Sequence, residues 1–172
     1  SGDKLNTTNY GTFINPIFSL IDTSFYNLSG DLRKYDSLDK NWYLIYLANK
    51  NCNKVCKDEI YLLRQVNIAL GKDMNRMQRI VLLAESDSDH LGQEMIKQYP
   101  NLIVVSSQPS SLNEIFRLED ISHNLFLVDP NGNVILGYDE GFKGKKLLKD
   151  IKKLLKHAKG GLPLNALLTR TD

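Results

Sequence analysis

The 172-residue chain has only two cysteines and one tryptophan. No apolar run approaches the roughly 18 residues of a membrane span. Two cysteines are too few for a scaffold built on several bridges, so the core has to come from apolar packing. No P-loop and no G-x-G-x-x-G is present, which removes the common phosphate and dinucleotide cradles. No nucleophile elbow is present from which a Ser-His-Asp triad could be read. Asp36, Asp39, Asp87 and Asp89 lack the spacing of a metal-binding loop and read as solvated acids. There is neither a Met start nor a signal-peptide pattern, so the chain reads as part of a longer precursor. Residues 1–9 (SGDKLNTTN) read as the polar remnant of a linker or tag.

What is present suffices for one domain. Hydrophobic residues make up 42% and charged residues 24%, the ordinary balance of a chain that builds its own core. The expected organisation is a domain over 10–159 and a C-terminal tail over 160–172. The net charge of +2 conceals an asymmetry, because residues 143–159 contain eight Lys and one Asp. Such a segment can steer an acidic partner or an anionic lipid, or it can simply be the solvated face of a terminal helix. It has no interleaved aromatics, so nucleic acid is not an expected partner.

Along the chain, residues 10–20 (YGTFINPIFSL) are broken by Pro16 and predict an irregular, extended lead-in. Residues 22–37 predict loops with a short hairpin. Residues 42–48 form a continuous β-favouring run, expected of a strand buried on both faces. A helix is predicted over 54–70, stopped by Gly71. Residues 79–84 (RIVLLA) and 102–106 (LIVVS) predict two further buried strands around a helix over 87–99, with Ser86 or Asp87 as its N-cap and Pro100 closing it. A short helix over 110–118 follows, with Ser111 and Glu114 as a capping box. Residues 125–128 (LFLV), the turn Asp129-Pro130-Asn131-Gly132 and residues 134–138 predict a hairpin. A final helix spans 145–158. Alternating strands and helices predict an α/β fold: a central mixed sheet flanked by helices, in the order of a thioredoxin-like fold with an irregular N-terminal extension.

The chemistry concentrates at Cys52 and Cys56. They follow a buried strand and stand where a helix begins, and positions i and i+4 of a helix share one face. Unpaired N–H groups at the helix start, with Lys54 and Lys57 nearby, favour thiolates. Two thiolates so placed suit a soft ion such as Cu(I). A disulfide is also open to them if the first turn distorts. If the pair is redox-active, Cys52 is expected to be the more exposed, attacking thiol. The plain alternative is two small buried hydrophobes, against which the polar flanks Asn51, Asn53, Lys54 and Lys57 argue. His123, directly before the LFLV strand, is a candidate third ligand completing a Cys2His set, or else a hydrogen-bonded loop histidine. His90 and His157 read as surface residues.

The stretch CNKVCKDEI resembles the Sco family of cytochrome c oxidase assembly proteins, as does the run from His123 to Val134 (HNLFLVDPNGNV). The segments LLRQVNIALGKDMNRMQRIVLL, LFLVDPNGNVILGY and KGKKLLKDIKKLLK are similar to a membrane-anchored, Sco-like group encoded in proteobacterial cytochrome oxidase gene clusters. The resemblance implies a thioredoxin-like fold with copper, as Cu(I) or Cu(II), on Cys52, Cys56 and His123. It implies a metallochaperone rather than an enzyme, with an oxidase subunit or another assembly factor as partner. The implied location is the periplasmic side of the bacterial inner membrane, tethered by an N-terminal anchor outside this chain, with the basic helix 145–158 as a docking face. A thiol–disulfide oxidoreductase reducing acceptor cysteines, and a non-catalytic assembly module with a structural disulfide, stand as alternatives. One departure is plain: Lys57 follows Cys56, where most Sco proteins have proline.

Overall fold

The computed structural model describes residues 10–49, 51–84, 88–120 and 122–159. The linker and tail expectations, and the proposed N-cap at Ser86 or Asp87, lie outside these residues. Eight strands form one mixed sheet: β1 (Thr12–Ser19), β2 (Ser24–Tyr26), β3 (Leu32–Lys34), β4 (Trp42–Leu47), β5 (Met77–Ala84), β6 (Ile103–Ser107), β7 (Leu125–Val128) and β8 (Asn133–Tyr138). Their order across the sheet is β1-β8-β7-β4-β5-β6-β2-β3. β4, β5 and β6 are parallel, and every other pairing is antiparallel. The α-helices are α1 (Lys54–Ala69), α2 (Ser88–Gln98), α3 (Pro109–Ile115) and α4 (Gly144–Lys159). The predicted α/β, thioredoxin-like architecture is thus present.

Side chains alternate across the sheet and divide the core into two layers. Leu44, Tyr46, Val81, Leu83, Leu125 and Leu127 point to the side covered by α1, α2 and α4. Tyr43, Ile45, Ile80, Leu82, Phe126 and Val128 point to the other side, where Leu112 and Phe116 close the layer. The strands read from continuous β-favouring runs are therefore central and buried on both faces, as their composition requires.

Two local expectations differ from the structure. Residues 12–19 are an edge strand, not a lead-in, paired with β8 at both ends and bulged between Phe13 and Phe18, with a cis Asn15–Pro16 bond. An edge strand tolerates a proline because one side of it has no ladder to complete. The 3-residue hairpin strands β2 and β3 fall inside the 22–37 segment, as expected. At α3, Pro109 occupies the first turn behind Gln108, which caps without a side-chain bond. Ser111 thus lies inside the helix and the proposed capping box with Glu114 does not form. Pro fits the first turn because its missing N–H is an unpaired donor there anyway.

The Asp-Pro-Asn-Gly turn is built as predicted. Asp129 Oδ1 accepts from the backbone N–H of Asn131 and of Asn133, both at 2.9 Å. Gly132 takes φ +85°, a left-handed value that glycine adopts without strain.

The lone acid of the Lys-rich helix is not on its solvated face. Asp150 is buried and accepts from Tyr10 N, Gly11 N and the Tyr138 hydroxyl, at 2.9, 2.8 and 2.7 Å. It fastens the start of β1 to α4 and β8. Replacing Asp150 by Ala leaves three buried or half-buried donors without their acceptor. The expected loss is about 3 kcal/mol in urea unfolding. Lys152→Ala, on the exposed face, should stay within about 0.5 kcal/mol. Equal effects of the two substitutions would remove the clasp from this account.

Candidate functional site

β4 ends at Leu47, and the chain turns back over the sheet before α1. The turn is closed by Cys52 N donating to Asn49 O at 3.0 Å. Asn53 is the N-cap, its side-chain oxygen accepting from Cys56 N at 3.0 Å. That bond satisfies one of the orphan donors of the first turn. Asn51 and Cys52 take φ +64° and +40°. Left-handed backbone is unremarkable for Asn but uncommon for Cys.

This geometry corrects one expectation. Cys52 precedes the N-cap and so lies outside the helix, not on the same helical face as Cys56. Its left-handed backbone brings the sulfur back over the first turn instead. The two cysteines are joined as a disulfide, with Cα atoms 5.0 Å apart. Both are buried, at 1% and 0% exposure, in the layer beneath α1. The expectation that Cys52 is the more exposed thiol is therefore not met in the disulfide form. The polar flanks Asn51, Asn53, Lys54 and Lys57 face solvent while the sulfurs turn inward.

His123 sits elsewhere. Its ring packs edge-on against Phe126, 6.1 Å between centroids, in the layer opposite the cysteines. Gly137, directly across from Phe126, leaves the space that the imidazole fills. His123 Nδ1 donates to Asp139 Oδ1 at 2.7 Å, since a carboxylate can only accept. Among the described residues no three His, Cys, Asp or Glu side chains converge on a metal position. His90, 89% exposed at its side chain, stands at the surface as expected and pairs with Glu94.

Sequence reasoning missed Glu59. It stands one turn after Cys56 on the same face of α1, and it is 6% exposed. Oε1 accepts from the Tyr46 hydroxyl at 2.7 Å and from Asn124 Nδ2 at 3.2 Å. Oε2 accepts from Gly141 N at 2.8 Å. One carboxylate thus joins the cysteine-bearing helix to β4, to the residue entering β7 and to the loop before α4. The available signal was an acid set among Cys56, Ile60 and Leu63 on an apolar stripe, because a buried acid needs partners.

Copper chemistry can be tested against these donors. Joined as a disulfide, the sulfurs are poor ligands. Reduction by a dithiol would give two neighbouring thiolates, a soft donor set that fits Cu(I). It lacks the nitrogen and oxygen ligands that Cu(II) prefers.

The family model described as transmembrane-like, thioredoxin-like, C-terminal domain matches residues 42–158. Solved structures with the same fold include Arabidopsis thaliana ScoI with copper bound, at 16% identity and TM-score 0.64, covering 86% of this chain and 98% of that one. Yeast Sco1 with copper bound is similar at 18% identity and TM-score 0.64, covering 85% and 97%. BsSco, described as having a disulfide switch and as a member of the Sco family of cytochrome c oxidase assembly proteins, is similar at 18% identity and TM-score 0.60, covering 80% and 94%. No curated protein sequence matches the chain.

Burial, and after it the hydrogen bond and charge of Glu59, push the Tyr46 phenol above its ordinary value. A raised phenol stabilises the fold fully below its unfolded value of about 10 and loses that contribution as pH climbs past it. Tyr46→Phe should therefore lower stability near pH 7 by about 1 kcal/mol while flattening the fall above pH 10. Thermal melts between pH 7 and 11 check this. An alkaline limb unchanged by the substitution would contradict it.

Proposed function

Because the chain belongs to the family of transmembrane-like, thioredoxin-like C-terminal domains, we propose that it is a copper-handling assembly factor for cytochrome c oxidase. The observation that carries this reading is the convergence of Cys52 and Cys56 at the strand–loop–helix junction, on a fold shared with copper-bound Sco proteins. In the reduced protein the two thiolates bind Cu(I) and surrender it by ligand exchange to cysteines of an acceptor. Copper is the cargo of this step, not a resident cofactor. The acceptor is an oxidase subunit or another assembly factor. The chain works on the periplasmic side of the bacterial inner membrane, tethered by an anchor beyond the sequence given. No helix of the described residues is long and apolar enough to cross a membrane. The exposed lysines of α4, including Lys145, Lys149, Lys152 and Lys156, form the docking face for an acidic partner.

The disulfide favours a second reading, a thiol–disulfide oxidoreductase that reduces acceptor cysteines. An acceptor disulfide would be attacked by one thiolate of the reduced pair. The second thiolate would then resolve the mixed disulfide, leaving Cys52–Cys56 oxidised and the acceptor as a dithiol. Burial of both sulfurs works against this as the resting state, since a protein disulfide has no path to them unless the turn at Asn49–Asn53 lifts. A purely structural disulfide in an assembly module is the remaining option, supported by the same burial.

The experiment is an anaerobic Cu(I) titration of the reduced protein against a competing chelator. One Cu(I) per chain is expected, lost in the Cys52→Ala, Cys56→Ala double variant. His123→Ala distinguishes two forms of the site. If Cu(I) affinity is unchanged, the site is two sulfurs and His123 stays on Asp139. If affinity falls tenfold or more, by about 1.4 kcal/mol, the imidazole moves to complete the set. No copper retention above that of the double variant would overturn the copper reading altogether.

A further inference from the structure

At the opposite end of the sheet from the cysteines lies a second site. β4 and β5 are parallel, so the start of β5 is remote from the loop that follows β4. Asn67, which borders this site, lies three turns beyond Cys56, about 16 Å further along α1. Arg79, the third residue of β5, is 6% exposed. Its Nη1 is fully buried and has no hydrogen-bond partner. Arg79 makes no salt bridge among the described residues. The charge nearest in effect is that of Arg64, which repels it, and burial and Arg64 together lower its pKa. A buried cation without a counter-charge is costly, by several kcal/mol as a general magnitude.

Arg79 borders a cavity of about 390 Å³. Asn67, Asn75, Gln78 and Asn101 line the same cavity, and among the described residues Arg79 is its only charged wall residue. Both N–H bonds of the Asn67 amide are committed to Met74 O and Met77 O, so Asn67 fixes the wall. The amides of Asn75, Gln78 and Asn101 have no such side-chain commitments among the bonds described. The volume falls in the range of sites for small organic molecules, about 300–1,000 Å³.

We propose that this cavity binds a small organic oxyanion, a carboxylate or a phosphate, against the Arg79 guanidinium. The planar fork of arginine matches two oxygens of such a group, and the neighbouring amides supply further donors. The bound anion provides the missing counter-charge for the guanidinium. The assignment is independent of the cysteine chemistry.

The test is an NMR titration of the full chain with succinate and, separately, with inorganic phosphate, chloride being used to hold ionic strength constant. Saturable shifts at Gln78, Arg79 and Asn101 with either probe are expected, with succinate or phosphate dominance showing which oxyanion the site prefers. Arg79→Met should weaken binding about tenfold or more. It should also raise the melting temperature in anion-free chloride buffer, because an apolar side chain replaces an unpaired buried charge. Shifts that only follow chloride, or binding equal in the parent and the variant, would overturn the proposal. So would a variant that melts lower in chloride and a parent that binds neither probe.

Discussion

The carboxylate of Glu59 holds together the four pieces of chain that surround the cysteine junction. Three donors converge on it, from Tyr46 on β4, from Asn124 entering β7 and from Gly141 before α4. A buried acid kept in this way fixes the rotation of α1, because turning the helix would strand the carboxylate in an apolar layer. Cys56, one turn earlier on the same face, is thereby pointed into the core. The position of the sulfur is thus set by a polar contact as well as by Ile60 and Leu63 packing beside it.

Cys52 is positioned differently, by backbone. It lies before the helix, and its left-handed conformation returns the side chain toward Cys56. Its backbone N–H bonds to Asn49, two long bonds of 3.4 Å join Asn49 and Asn53, and its side chain is buried in the apolar layer beneath α1. One sulfur therefore rides on a helix and the other on the segment before it, and both are buried in the same layer.

The central sheet was legible because its strands are short β-favouring runs between helical periods, and runs such as WYLIYL and LFLV have few other ways to bury both faces. β1 was not legible as a strand, since Pro16 interrupts its apolar residues and resembles a loop until an edge position explains it. The cysteine pair was legible as a chemical unit, but its burial was not. The flanking Asn and Lys residues report the solvent side of the turn, whereas the left-handed φ of Cys52 decides where the sulfur goes. The layer that His123 occupies depends on the path from Ser122 to Leu125 and on the space above Gly137, neither of which spacing encodes. Glu59 and Arg79 were passed over for one reason: each is a charged residue in an otherwise apolar pattern, and only its tertiary surroundings show whether it has partners.

The proposed function requires a reduced state in which two sulfurs, one on a helix and one just before it, hold a single Cu(I) ion. X-ray absorption at the copper edge of the reduced, copper-loaded protein tests that directly. The account predicts a first shell dominated by two equivalent sulfur scatterers, with the low coordination number that Cu(I) accepts. A first shell built of nitrogen and oxygen, without the paired sulfurs, would contradict it.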